Sequence, residues 1–262
     1  MRARLGLTLL ALLVAVAVVA PLLMPMSPTD MSFTQAMRGP SMAHPLGTDQ
    51  FGRDILVRLA VGLRTTLVYA LAAVAAATLI GGSIGIVAGY LEGWWETVLM
   101  RPLEVLMAFP VVLLAITVIA ALGTGTVALM IAVTSVYTPI MARIARAAAI
   151  KVKHQEYVQA ADALGARALH VIARHILPNA AAPIITQATV LLGLAILLEA
   201  ALSFLGLGVQ PPAPSLGLML AEGRQFMTDA VWVVGFPALA IVLLVMGFNL
   251  IGSHLSRSRR EA

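Results

Sequence analysis

Cysteine and charged side chains are what this chain of 262 residues lacks most. It contains no cysteine, which excludes disulfide bonds and thiol chemistry. Only 11% of its residues are charged, against about 25% in soluble globular domains, whereas 60% are hydrophobic. Because this balance excludes an ordinary soluble domain, the composition predicts a membrane protein with little soluble mass.

The residue patterns of metal, nucleophile and nucleotide sites are also missing. Lys151 and Lys153 are the only lysines and neither follows glycine, so the sequence has no glycine-rich phosphate loop ending in Gly-Lys-Ser/Thr. The five histidines are scattered, without a pair spaced to share one helical face. We therefore expect no catalytic residue, cofactor or metal in this chain, and we expect any ATP with its magnesium to bind to other subunits.

Long apolar segments are what the sequence has instead. Six of them reach or approach the roughly 20 residues that a helix needs to cross a bilayer. They cover about 5–24, 66–91, 103–122, 126–142, 180–207 and 230–252. The predicted fold class is therefore an all-α polytopic membrane protein with six transmembrane helices. The first segment is longer than the usual core of a signal peptide, so we expect an uncleaved span.

Positive charges predict how these spans are oriented. Arg2 and Arg4 precede the first span, and Arg257, Arg259 and Arg260 follow the last one. The loop over 143–175 carries further Lys and Arg residues. The positive-inside rule then places both termini and this loop in the cytoplasm. The net charge of +5 fits attraction to anionic lipid headgroups of the bilayer, and no nucleic acid partner is expected.

Two shorter patterns predict how the first half of the chain packs. Gly81, Gly85 and Gly89 recur at every fourth position, which favours close approach of another helix within the bundle. The segment ILVRLAVGL over 55–63 has an amphipathic helical pattern and follows an outside loop. We therefore expect it to be a separate interfacial helix on the outer surface.

A polar stretch over 156–179, EYVQAADALGARALHVIARHILPN, stands between long apolar runs. Its two amphipathic halves meet at Gly165, which suits a sharp turn, and end at Pro178, which cannot continue a helix interior. The apolar positions are Tyr157, Ala160, Ala161 and Leu164 in the first half and Leu169, Ile172 and Ile176 in the second. Such a helix–turn–helix favours docking into another protein. The alternative is an ordinary amphipathic connector between spans.

The segment HPLGTDQFGRD over 44–54 is predicted to form a tight loop on the outside. Glycine and proline form its turns, and charge-assisted hydrogen bonds can tie it together. The residues that carry this pattern are His44, Gly47, Asp49, Gly52, Arg53 and Asp54. A self-bonded loop is the main interpretation, and direct contact with a substrate or partner is the alternative.

Glu199 is the carboxylate placed well inside an apolar span. A charge there costs on the order of 3 kcal/mol on insertion scales, so the residue should face protein, a cavity or a partner. It is a candidate for the translocation path or for a buried polar site. In the second interpretation it forms a structural hydrogen bond, as the neutral acid, with Ser203 one turn later or with another helix.

The polar stretch resembles the cytoplasmic coupling loop of ABC-importer permeases. The loose signature of that loop is Glu-Ala-Ala, three residues, Gly, nine residues and then Ile-x-Leu-Pro. The matching residues are Gln159, Ala160, Ala161, Gly165, His175, Leu177 and Pro178. Gln159 stands in place of Glu and His175 in place of Ile. The ending RHILPN and the segments over 44–54, 92–110 and 199–220 resemble dipeptide, oligopeptide and nickel permeases.

This resemblance covers about residues 44–253 and implies the type I ABC-importer permease fold. It implies the second, shorter permease of a heterodimeric pair in the bacterial cytoplasmic (inner) membrane. The implied partners are a second homologous permease subunit, two ATP-binding subunits and a periplasmic or lipid-anchored substrate-binding protein. The permease itself is then no enzyme, because ATP is hydrolysed by the partners and the coupling loop transmits their motion.

The resemblance also implies a division of the chain and a class of substrate. Residues 1–64 would hold the first span, the outside loop and the interfacial helix, and 65–254 the core domain with its coupling loop over 153–178. Residues 255–262 would be a cytoplasmic tail. Di- or oligopeptides are the expected substrates, with nickel or glutathione as alternatives in the same family. A secondary transporter is disfavoured, because it would need several ion-coupling carboxylates near the midplane.

Overall fold

The computed structural model describes residues 2–24 and 26–257, and these residues form a helical bundle. The helices are α1 (Arg2–Leu23), α2 (Ile55–Leu91), α3 (Gly93–Met107), α4 (Val111–Leu122), α5 (Thr126–Lys153), α6 (Glu156–Ala163), α7 (Ala168–Val171), α8 (Leu177–Phe204), α9 (Leu216–Gly223) and α10 (Val231–Arg257). A π-helical turn over Ile172–Ile176 joins α7 to α8. The predicted all-α class is confirmed.

Four helical segments of the described chain are long and apolar enough to cross a membrane. They are α2, α5, the α7–α8 unit over Ala168–Phe204, and α10 over Val231–Ser256. A fifth candidate is the pair of α3 and α4, which is bent by 99°. The apolar part of α1, Arg4–Ala20, is shorter. The count of six spans stays a prediction.

The predicted third span over 103–122 is not one continuous helix. Helix α3 ends at Met107 and α4 begins at Val111, with Pro110 at the break. Proline lacks a backbone N–H and its ring clashes with the preceding turn, so it interrupts the helix here. The 12 residues of α4 extend about 18 Å, less than the roughly 30 Å of a hydrocarbon core. Only together with α3 can this segment form a span.

The prediction of a separate interfacial helix over 55–63 is also wrong. This segment is the first part of α2, which runs unbroken for 37 residues, so a boundary between 64 and 65 falls inside a helix. The Asp54 carboxylate accepts a hydrogen bond from the Val57 N–H at 3.0 Å and thereby caps the first turn. Ile55 and Leu63 are buried in the bundle rather than facing a membrane surface. An amphipathic pattern indicates one buried face and does not identify what buries it.

Close packing of α2 against α5 confirms the glycine pattern. A Cβ atom on Gly81, Gly85 or Gly89 would collide with backbone carbonyl oxygens of α5, those of Thr138, Ala142 and Arg146 respectively. The absence of side chains on this stripe of α2 therefore lets the two backbones touch within one bundle.

The ends of the chain pack on each other. Helix α1 lies against α10, where Gly6 faces the Gly247 carbonyl and Gly247 faces Leu10. Helix α10 continues to Arg257, so the predicted tail begins as helix. Arg259 and Arg260 of that tail lie outside the described residues.

Candidate functional site

The predicted coupling loop is a pair of helical turns at one end of the bundle, between α5 and α8. Helix α6 is followed by Gly165, whose φ of +80° is a left-handed conformation that glycine adopts without strain. The Gly165 N–H donates to the Asp162 carbonyl at 2.9 Å, and the Ala166 N–H donates to the Ala161 carbonyl at 3.1 Å. These bonds close the helix end and send the chain into α7. The structure therefore has the turn that the sequence predicts.

An apolar ridge projects from this loop. Leu164 is 89% exposed, Leu169 is 77% exposed and Tyr157 is 47% exposed. Gln159 and Ala160 are exposed beside them, and Ala161 is half-buried. Val158 and Val171, on the opposite faces of the two helices, are fully buried and hold the loop against the bundle. We call Tyr157, Leu164 and Leu169 the exposed ridge.

The second half of the loop differs from the prediction. Ile176 is fully buried and Ile172 is half-buried, so these residues belong to the core rather than to a docking face. The helix does not close at Pro178 but continues through the π-helical turn into α8. Pro178 follows the π-helical turn and lies inside this continuous helix, so the expectation that it ends the helix is wrong. The loop is thus built into the start of a span.

His175, at the position where the family signature has Ile, packs inside the loop. Its ring centre lies 5.9 Å from that of Tyr157 and 6.2 Å from that of His170. The Asn179 side-chain amide donates to the His175 carbonyl at 2.7 Å. Leu177 is 47% exposed beside it. His175 therefore steadies Tyr157 in the exposed ridge.

Polar contacts attach the loop to α2 and join α5 to the segment that follows α2. The Tyr90 hydroxyl, in the last turn of α2, donates to Asp162 Oδ1 at 2.9 Å. Lys153 Nζ lies 3.3 Å from Glu92 Oε2, and Arg146 pairs with Glu96. The sequence analysis missed these contacts, because each pair is separated by 50 or more residues and has no local pattern.

Glu199 lies where α2, α8 and α9 meet, and it is 1% exposed. Ser203 Oγ donates to Glu199 Oε1 at 2.8 Å, and Thr66 Oγ1 of α2 donates to Oε2 at 3.1 Å. Thr66 Oγ1 in turn accepts from the Leu216 N–H at 3.4 Å, at the start of α9. Both oxygens of the carboxyl group are therefore satisfied inside this chain. The geometry favours the buried polar site, and a role in the translocation path stays a prediction.

The segment after α8 packs tightly against this carboxyl group. A Cβ atom on Gly208 would collide with the Ser203 side chain, and one on Gly217 would lie 2.5 Å from the Ala200 carbonyl oxygen. Ser215 caps α9 by accepting from the Leu218 N–H at 3.2 Å. Glycine at these positions lets the connection to α9 fold back onto α8 and enclose Glu199.

The outside-loop motif is a self-bonded loop. Asp49 accepts from Arg53 Nε at 2.6 Å and from the backbone N–H groups of Phe51 and Arg53. His44 Nδ1 lies 2.8 Å from Asp54 Oδ2, so the histidine joins the cap of α2. Gly47 and Gly52 both have φ near +75°, at +81° and +72°. A side chain on Gly52 would strike the Ser32 carbonyl.

This loop is attached to the bundle by a buried ionic cluster, which we define as Asp49, Arg53, Arg58 and Glu222. Arg53 Nη2 and Arg58 Nη2 each lie 2.8 Å from Glu222 Oε2 in α9, and Arg58 Nε lies 3.5 Å from Asp49 Oδ2. Arg58 is 1% exposed. The sequence analysis missed Arg58 and Glu222 as partners. No local pattern in the sequence connects Arg58 to a carboxylate 164 residues away.

A groove of about 710 Å³ runs beside the coupling loop. It lies between α5 and α8, with Lys151, Gln155, Tyr157 and Asn179 among its lining residues. Within residues 2–24 and 26–257 there is no group of three or more His, Asp or Glu side chains that could bind a metal ion.

Known proteins resemble this chain over most of its length. Residues 81–260 match the family described as the binding-protein-dependent transport system inner membrane component. The dipeptide transport system permease protein DppC of Alkalihalophilus pseudofirmus is 42% identical over 250 residues, which cover 95% of this chain and 82% of that protein. The glutathione transport system permease protein GsiD of Pectobacterium atrosepticum is 41% identical over 245 residues, covering 93% and 81%.

A solved structure gives the fold. An inward-facing conformation of the MetNI methionine ABC transporter superposes with a TM-score of 0.62 at 19% identity, covering 77% of this chain and 95% of that chain. The fold is that of a type I ABC-importer permease, and the family match over residues 81–260 includes the coupling loop. The chain belongs to the family of inner-membrane components of binding-protein-dependent transport systems.

Proposed function

We propose that this protein is a transmembrane subunit of an ATP-driven importer that moves di- or oligopeptides across the cytoplasmic membrane. The observation that carries the proposal is the exposed ridge, whose two leucines are left largely uncovered by the described residues at a position where the family couples transport to ATP hydrolysis. Leu164 and Leu169 expose most of their apolar surface to solvent. Burying such surface at an interface gains about 25 cal/mol per Å².

The partners follow from this role. A second homologous permease completes the translocation path, two ATP-binding subunits bind and hydrolyse ATP with magnesium, and a substrate-binding protein delivers cargo to the outer face. The coupling loop docks in a groove on one ATP-binding subunit. It must bind differently to the two nucleotide states of that subunit, because a contact equal in both states shifts no equilibrium.

A peptide substrate is supported by the names of the relatives. The relative from Alkalihalophilus is a dipeptide permease, at 42% identity. Glutathione is the second candidate, because a relative at 41% identity is a glutathione permease. Nickel has no such observation in its favour, and the described residues contain no cluster of metal-binding side chains.

Uptake by the purified, complete transporter in liposomes tests this function. We expect ATP-dependent accumulation of labelled dipeptide or short peptide when the cognate binding protein is present. Glutathione and nickel ions are the matched competitor substrates. Accumulation of glutathione or nickel without any of peptide would contradict the peptide proposal, and uptake without ATP would contradict the ABC-importer mechanism.

A further inference from the structure

We infer that α2 carries the motion of the coupling loop to the outer face of the protein, and that the hydrogen bond between Tyr90 and Asp162 attaches α2 to the loop. The inference rests on the coupling function proposed above. Tyr90 and Asp162 are thereby positioning residues: they orient the loop without belonging to the exposed ridge that docks.

The geometry of α6 shows why this bond matters. Only two residues separate α6 from the end of α5, so the first turn of α6 is held by the backbone connection. Val158, near the same end, is buried. Asp162 lies in the last turn, about 9 Å further along the axis. The Tyr90 hydroxyl binds this far end at 2.9 Å. The far end also continues through Gly165 into α7, where Val171 is buried. Loss of the bond would leave the direction of α6 restrained by its backbone connections and buried valines alone.

Tyr90 is itself fixed in place. Lys153 Nζ lies 5.6 Å from the centre of the Tyr90 ring and also pairs with Glu92 at 3.3 Å. One residue earlier, Gly89 touches the backbone of α5, where a Cβ atom would lie 2.6 Å from the Arg146 carbonyl oxygen. The inner ends of α2 and α5 therefore form one rigid body, and Tyr90 extends it to the loop.

The other end of α2 lies in the buried ionic cluster. Arg58, one turn into the helix, binds Glu222 of α9 at 2.8 Å, and Asp54 caps the same helix end. Between Arg58 and Tyr90 the helix contains no proline, and its 37 residues extend about 55 Å in total. One unbroken helix thus links the coupling loop to the outer loop. We expect a tilt imposed at Tyr90 to be carried along this helix to Arg58.

The Tyr90→Phe variant tests the attachment in the complete transporter in lipid. It removes the hydroxyl and keeps the ring against Lys153. We expect full recovery of the ATP-binding subunits but a two- to tenfold loss in the stimulation of ATP hydrolysis by loaded binding protein, about the effect of losing one hydrogen bond. Asp162→Asn, which keeps an acceptor, should lose less. Tyr69→Phe is the control, since Tyr69 lies on the same helix and bonds Thr126 instead.

A distance measurement supplies a readout that general destabilisation does not mimic. Because the chain has no cysteine, spin labels can be placed at the exposed residues Leu91 and Ala163 alone. We expect Tyr90→Phe to broaden the distance distribution between these labels and Tyr69→Phe to leave it narrow. An unchanged distribution, or wild-type stimulation in Tyr90→Phe, would overturn the inference.

Combination with Glu222→Gln tests the route along α2. Glu222 contacts Arg58 at one end of α2, and Tyr90 lies at the other end. The effects of substitutions at such distant sites usually add. If α2 transmits the motion, the effects of Tyr90→Phe and Glu222→Gln on the stimulation of ATP hydrolysis should instead be non-additive. Additive effects would overturn the route. A separate experiment tests the proposed coupling function itself. If substitutions in the exposed ridge leave recruitment of the ATP-binding subunits unaltered, the loop does not couple transport to ATP hydrolysis.

Discussion

Glu199 places a carboxyl group inside an apolar bundle, and its two hydrogen-bond donors come from different helices. Ser203 is one turn away in the sequence, so this partner could be predicted from helical spacing. Thr66 lies 133 residues away and could not be, because no local pattern encodes which helices pack together. The same holds for Arg58 and Glu222. For single residues, the sequence indicates which polar side chains need partners but does not identify partners that are distant in the sequence.

Substitution of Glu199 tests whether the carboxyl group is structural. Glu199→Gln keeps an acceptor and should retain assembly and most transport. Glu199→Ala leaves the hydroxyls of Ser203 and Thr66 without their acceptor, and it should destabilise the bundle by about 1–3 kcal/mol, the cost of unsatisfied buried polar groups. The measurements are the midpoint of thermal unfolding in detergent and peptide uptake in liposomes.

Ser203→Ala is the matched control, because it removes one donor and leaves Thr66 on the carboxyl group. It should cost less than Glu199→Ala. Uptake lost in Glu199→Gln while assembly is retained would contradict a purely structural role and support contact with substrate. Equal, wild-type behaviour of the Gln and Ala variants would contradict any role for the carboxyl group.

Helices were predicted well where a local pattern determines them and less well where packing does. The turn at Gly165 and the small-residue stripe of α2 follow from local chemistry, and both are found. The amphipathic segment over 55–63 was assigned to a membrane surface, but it packs under α9 and the outer loop as part of α2. The segment over 103–122 is apolar except for Glu104 and Thr117, yet Pro110 breaks it. Hydropathy measures transfer to an apolar environment and not continuity of a helix.

The exposed ridge can be tested by adding a charge to it. Leu164 is 89% exposed in the isolated chain, so Leu164→Glu should not disturb folding or membrane insertion. In the complex, the new carboxylate would be buried unpaired in the docking groove, an expensive burial. We expect the ATP-binding subunits to be lost on purification, by tenfold or more in recovery, a drop of about 1.4 kcal/mol or more in affinity.

Gln155→Glu is the matched control for this prediction. It adds the same charge to the same loop at the exposed N-cap of α6, where a negative charge is compatible with the helix dipole. It should leave recovery of the complex unchanged. Full recovery of the ATP-binding subunits with Leu164→Glu would mean that the loop is a connector, as in the alternative interpretation.

The whole molecule has a polar cap at each end of its helical bundle, and α2 runs from one to the other. The ionic cluster and the outside-loop motif lie at the start of α2, and the coupling loop contacts its last turn. Charge counts predict which end faces the cytoplasm. The family places the protein in the inner membrane as a multi-pass component. Its orientation there stays a proposal.

Single cysteines test that orientation, because the natural chain has none to interfere. Thr34, in the segment before α2, and Ser256, near the end of α10, are both exposed. We expect a membrane-impermeant thiol reagent added to intact cells to label Thr34→Cys and not Ser256→Cys. Permeabilised cells are the control and should label both. Labelling of Ser256→Cys but not Thr34→Cys in intact cells would show that the topology is the reverse of the predicted one. The exposed ridge would then face away from ATP, and an inverted bundle could not couple transport to a cytoplasmic ATPase through this loop.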